Sequence, residues 1–229
     1  MGNICPKENP LLTKDADSTL ANASTSSSSL SIDSDSDIEL VYTPSTGEGE
    51  CLKVLLSFLC VPYKEIIQNS KQHINTAVMW NNKTVVGTLS CLRHLSSLFG
   101  LYPDDEDDIL TTEYLCEKIY ALWQQVREDF YHNNRGRIHL FYTKDLPELL
   151  REVEKHVDLS KSGALCDQIT MCDILLLTFV YNLFYRKSIE KYAYVLDRFP
   201  KVKALCVGIL QNNISISSYF RTRRFNLYI

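Results

Sequence analysis

The sequence predicts an α/β unit followed by an all-α helical bundle, with a disordered tail ahead of both. Three observations carry that expectation: a strand, helix and strand in succession between Ile38 and Ile67, a tight hairpin centred on Asn81-Asn82, and purely helical periodicity beyond residue 108. The predicted boundaries are 1–37 for the tail, 38–102 for the α/β domain and 109–229 for the helical domain.

Ile38, Leu40 and Tyr42 alternate with Glu39 and Val41, the period of a strand with a buried face. Pro44 and Gly47 break the run. Leu52, Leu55, Leu56 and Leu59 then recur at i, i+3, i+4 and i+7, an apolar helical stripe that Val54 and Phe58 widen. Cys60-Val61-Pro62 ends that helix, because a proline forces its predecessor out of helical geometry, and Tyr63 to Ile67 reads as a second strand. Ala77–Trp80 and Lys83–Val86 flank Asn81-Asn82, a two-residue turn between apolar runs. Thr88 is placed to cap the helix carrying Leu89, Leu92, Leu95 and Phe99, which closes near Gly100. The acidic stretch Asp104 to Asp108 reads as a solvated linker.

Beyond it, Leu115, Ile119, Leu122, Val126 and Phe130 mark a long helix near Thr111 to Tyr131, and Leu146, Leu149, Leu150, Val153 and Val157 mark another. Thr170 and Asp173 have the spacing of a capping box, in which the threonine hydroxyl accepts the Asp173 amide and the carboxylate returns to the threonine amide. The helix they open is apolar on nearly every side and belongs at the centre of a bundle. Pro200 begins a further helix with Val202, Leu205, Ile209 and Leu210 facing inward.

Composition excludes several classes. The net charge of −4 resides in residues 1–37, which hold six acids against two lysines; the remainder balances 22 basic against 22 acidic residues. Nucleic-acid binding by phosphate neutralisation is therefore not expected, and Arg221, Arg223 and Arg224 read as cations closing a helix. Eight cysteines are scattered without Cys-x-x-Cys or clustered histidines, so no metal is expected and a reduced, cytoplasmic setting is. No apolar run reaches the roughly 18 to 20 residues of a membrane span. The start, Met-Gly-Asn-Ile-Cys, offers Gly2 for myristoylation and Cys5 for palmitoylation, the two lipid signals that anchor a chain to the cytoplasmic face of a membrane. Residues 7–37 are rich in Ser, Thr, Asp and Asn and contain no aromatic residue, too little apolar area to offset chain entropy.

A small β-α-β, β-β-α domain ahead of a helical domain with a buried, box-capped helix resembles the cytosolic glutathione transferases, nearest to the sigma and mu classes. The resemblance rests on Ile38 to Tyr42, Gly47 and Leu52 to Tyr63 for the first strand and helix, on Thr170 and Asp173 for the capping box, and on Leu196 to Lys203 and Ser218 to Phe225 near the end. It implies a thioredoxin-like first domain, a homodimer, and glutathione as the substrate whose thiolate attacks an electrophile. It also implies that Tyr42 occupies the catalytic position, where a hydroxyl donates to the glutathione sulfur and lowers its pKa. Thr76, Gly87, Thr88 and Asp129 match the family's remaining glutathione contacts.

Several of those contacts depart from the pattern. Glu48 stands where sigma enzymes carry an arginine, Thr76 replaces the proline before the third strand, and Gly87 replaces a glutamine beside the retained hydroxyl of Thr88. The segment after Tyr63 is also about ten residues shorter than the family's. The expectation is a transferase-like protein whose glutathione binding is weakened or lost, serving as a dimeric scaffold or ligand-binding module. The alternative is an active transferase using Tyr42. A third reading docks the domain onto another protein, with no partner identified.

Overall fold

A computed structural model describes residues 38–43, 49–68, 76–158, 164–184 and 194–222. The expected tail, with Gly2 and Cys5, and the positions of Gly47 and Glu48 lie outside these residues.

Strand β1, Ile38–Tyr42, runs parallel to β2, Tyr63–Ile67, and antiparallel to β3, Ala77–Trp80, which pairs with β4, Lys83–Val86. The sheet order is β2-β1-β3-β4. Both edge strands are half open to solvent, whereas β1 is buried between its neighbours. Asn81 and Asn82 take positive φ values of 49° and 61°, the left-handed pair that a two-residue hairpin demands and asparagine tolerates. Helix α1, Gly49–Phe58, lays Leu52, Leu55 and Leu56, all fully buried, in the same core as Ile38 and Leu40.

Helix α2 spans Thr88–Phe99. Its cap is Gly87 rather than Thr88: Gly87 sits at φ 97°, its carbonyl accepts the Cys91 amide at 2.9 Å, and Thr88 is already the first helical residue. Only a glycine takes that backbone turn without strain. At the other end Gly100 is left-handed, φ 73°, and Leu101 N–H returns to the Ser96 carbonyl at 2.9 Å.

The acidic stretch is not a linker. Helix α3 runs Glu106–Tyr131, and Asp105 caps it by accepting the amides of Asp107 and Asp108 at 3.0 and 3.2 Å. Glu106, Asp107 and Asp108 fill the first turn, where the helix dipole favours negative charge.

Helix α4, Arg135–Leu140, was not legible in the periodicity, nor was the π-helical turn Phe141–Asp145 that joins it to α5, Leu146–His156. Phe141 and Tyr142 are nonetheless buried. Helix α6, Met171–Phe184, is buried on almost every side and packs against α1 and α3. Helices α7, Tyr194–Asp197, α8, Pro200–Asn212, and α9, Ile214–Thr222, complete the bundle. Cys51, Cys91, Cys116, Cys166, Cys172 and Cys206 are buried and outside any disulfide. No helix among the described residues is long and apolar enough to cross a membrane, and no group of His, Cys, Asp or Glu among them is arranged to hold a metal.

One half of the capping box forms as expected: the Asp173 carboxylate accepts the Thr170 amide at 2.8 Å. The Thr170 hydroxyl does otherwise. It donates to the same carboxylate at 2.9 Å, since a buried acid draws every available donor.

Candidate functional site

Tyr42, Thr76, Gly87 and Thr88 gather at one end of the sheet. Val41 pairs with Ala77 and Ala77 with Val86, so the last residue of β1, the one that precedes β3 and those that follow β4 are neighbours. The Thr76 carbonyl accepts the Gly87 amide at 2.7 Å, tying the start of β3 to the turn into α2. No peptide bond among the described residues is cis, and the one entering Thr76 begins at Asn75, outside them. Thr88 is buried, and its hydroxyl has no hydrogen-bond partner among the described residues. Asp129 is elsewhere: it pairs with Arg137 of α4 at 3.8 Å.

Tyr42 shares a face with Ile38 and Leu40, and its ring lies against the first residue of α1. A Cβ at Gly49 would meet the Tyr42 Cβ and Cγ at 2.8 Å. From there the hydroxyl goes to β2. It donates to Glu65 Oε2 and accepts from Lys53 Nζ, while Lys53 and Glu65 pair directly at 2.7 Å. The Lys53 ammonium also stands 3.8 Å from the centre of the tyrosine ring. Glu65 is opposite Leu40 in the ladder and so on the same face as Tyr42, two residues along.

The electrostatics follow. Burial first, then the Glu65 hydrogen bond and charge, then Glu50 and Tyr63, hold the Tyr42 phenol well above its usual 10.0. Tyr63 is raised in the same way by burial, Glu65 and Glu50. For Glu65, burial works to raise the carboxyl, but hydrogen bonds from Lys53 and Tyr42 and the lysine charge prevail and lower it below 4.5. Glu50, in the first turn of α1, accepts from the Tyr219 hydroxyl at 2.6 Å, which joins α9 to the same cluster.

Sequence reasoning singled out Tyr42 and passed over Lys53, Glu65, Glu50 and Tyr219, which the structure gathers round it. One signal was available. Lys53 interrupts the apolar block Cys51 to Leu56 and is a charged residue at a buried position, whereas Glu65, exposed like Ile67 on the same edge strand, carried no such mark.

Comparison with known proteins points one way. The family model "Glutathione S-transferase, C-terminal domain" matches residues 108–223, slightly more than half the chain. Among solved structures, a pi-class glutathione S-transferase of Onchocerca volvulus is similar with a TM-score of 0.70 at 18% identity, over 82% of this chain and 93% of that one. Prostaglandin synthase D of Nilaparvata lugens gives 0.67 at 16%, over 82% and 98%, and NaGST-2 gives 0.69 at 16%, over 84% and 100%. Identities that low speak for the fold. No curated protein matches the sequence. With a four-stranded β-α-β, β-β-α unit ahead of a helical bundle, and with the family match across that bundle, the chain belongs to the glutathione S-transferase family.

Proposed function

We propose that this chain is a transferase-fold protein with a weak or lost grip on glutathione, working as a dimeric scaffold or ligand-binding module. The observation that carries the reading is the Tyr42 hydroxyl. A phenol has one proton, and this one is given to Glu65. A thiolate placed beside it meets a carboxylate where the family's chemistry needs a donor. The sequence adds to this: Glu48 in place of an arginine, and Gly87 in place of a glutamine, remove a charge and an amide from the tripeptide's reach. Losing interactions of about 1 to 3 kcal/mol each takes a micromolar site to the millimolar range.

Dimerisation is supported by Leu110 and Tyr114, one turn apart on α3 and 63% and 44% exposed, and by exposed Val86 at the end of β4. Acylation at Gly2 and Cys5 would bring the module to a membrane. Intact mass of the native protein tests that, and an unmodified Met1 there contradicts it.

Retention on glutathione-agarose and conjugation of a chlorodinitrobenzene-type electrophile test the main reading. The expected result is neither. The second reading, an active transferase, is favoured by the Thr88 hydroxyl, which has no partner among the described residues and lies at the amino end of α2, where a ligand carboxylate is electrostatically welcome. Turnover that vanishes in Tyr42→Phe establishes that reading instead.

A further inference from the structure

We propose that Glu65 is a latch on Tyr42, a specificity-determining residue that holds the phenol at the outer edge of the sheet and so keeps it from serving a thiol. The inference rests on the reading above, that the grip on glutathione is weak, and supplies a cause for it within this chain's own residues.

The contact is closed on itself. Tyr42 donates to Glu65 Oε2, Lys53 donates to the phenol oxygen, and Lys53 also donates to Glu65 Oε2 at 2.7 Å. The direction matters as much as the bond. β2 lies on the opposite side of β1 from β3 and β4, whereas Thr76, Gly87 and Thr88 belong to the β3 and β4 side. Glu65 therefore draws the hydroxyl away from the residues that match the family's tripeptide contacts. Packing supports the same placement, because Gly49 leaves room for the ring against α1 where any larger residue would strike it at 2.8 Å.

The three partners differ in how freely they move. Lys53 is 11% exposed and held under the helix, while the Glu65 side chain is 39% exposed on an edge strand. The acid is thus the removable part. Without it, the phenol keeps the Lys53 ammonium as its near neighbour, and an adjacent cation favours the phenolate and eases loss of the proton. The other ionisable groups facing Tyr42 are Glu50 on α1, itself held by Tyr219 of α9, and Tyr63 on β2.

The test measures two quantities on the full-length protein and on Glu65→Ala and Glu65→Gln. One is ionisation of Tyr42, taken as the near-ultraviolet phenolate absorbance of each protein minus that of its Tyr42→Phe counterpart. The other is calorimetric titration with reduced glutathione. In the unaltered protein Tyr42 is expected to stay protonated through the region near 10.0 where ordinary tyrosines titrate. Glu65→Ala is expected to bring its ionisation back to that region or below and to tighten glutathione binding about tenfold, the equivalent of one hydrogen bond regained. Glu65→Gln keeps the side-chain shape and guards against a folding defect; it is expected to move both readouts the same way by less.

Ordinary titration of Tyr42 in the unaltered protein overturns the latch. So does a restored titration that leaves glutathione affinity where it was. Micromolar binding by the unaltered protein overturns the weak-grip reading instead, and the latch then stands or falls on whether Glu65→Ala still tightens it.

Discussion

The Asp173 carboxylate, three residues into α6, accepts the backbone amide of Leu165 at 2.9 Å through its other oxygen while holding Thr170. It is fully buried, and it organises the entry to the central helix by satisfying donors that water does not reach. Asp173→Ala leaves two buried amides unpaired, each worth about 1 to 3 kcal/mol. Urea denaturation should show a loss of about 2 to 5 kcal/mol, with Asp173→Asn milder because its amide oxygen still accepts from one side.

Acid should weaken the fold through two glutamates. Glu65 is lowered as described, and Glu113 is lowered because hydrogen bonds from Arg93 and Tyr102, with the arginine charge, outweigh burial that raises it. A carboxyl whose folded pKa lies below its unfolded one contributes stability above the unfolded value, and that contribution is lost as pH falls through the folded value. Stability should therefore drop from about 4.5 downward. Urea midpoints across that range should flatten in Glu65→Gln combined with Glu113→Gln.

The hairpin turn makes a sharper demand. Asn81 and Asn82 both have left-handed backbones, which β-branched residues adopt only under strain. Asn82→Val is expected to cost about 1 to 3 kcal/mol, whereas Asn82→Gly should equal or exceed the parent in thermal melting.

Gly49→Ala tests the packing of the candidate site. The added Cβ would stand 2.8 Å from the Cβ and Cγ of Tyr42, atoms close to the backbone that have little freedom to give way. The expected cost is about 1 to 3 kcal/mol in urea denaturation, together with a shift in the near-ultraviolet signal of the displaced ring.

Most of the sheet was legible in the sequence because its elements are short and sharply punctuated. The alternation of Ile38, Leu40 and Tyr42, the stop at Pro62 and the Asn-Asn turn each predict an element whose ends agree with the structure. Helix starts were harder. Asp105 caps through its carboxylate and Gly87 through its backbone, and composition alone disguised the first as linker and passed over the second in favour of Thr88. The π-helical turn at Phe141–Asp145 has no periodicity of its own to betray it. At the candidate site, Tyr42 was reached by alignment, but its partners were not, because Lys53 and Glu65 are brought together by the α1 crossover between β1 and β2 and lie 12 residues apart in the chain.

Calorimetric titration of the full-length protein with reduced glutathione at neutral pH, alongside Tyr42→Phe, bears most directly on whether this transferase fold still grips the tripeptide. A dissociation constant of roughly millimolar or weaker, the same in both proteins, is the predicted result. Micromolar binding that weakens when the Tyr42 hydroxyl is removed would contradict it.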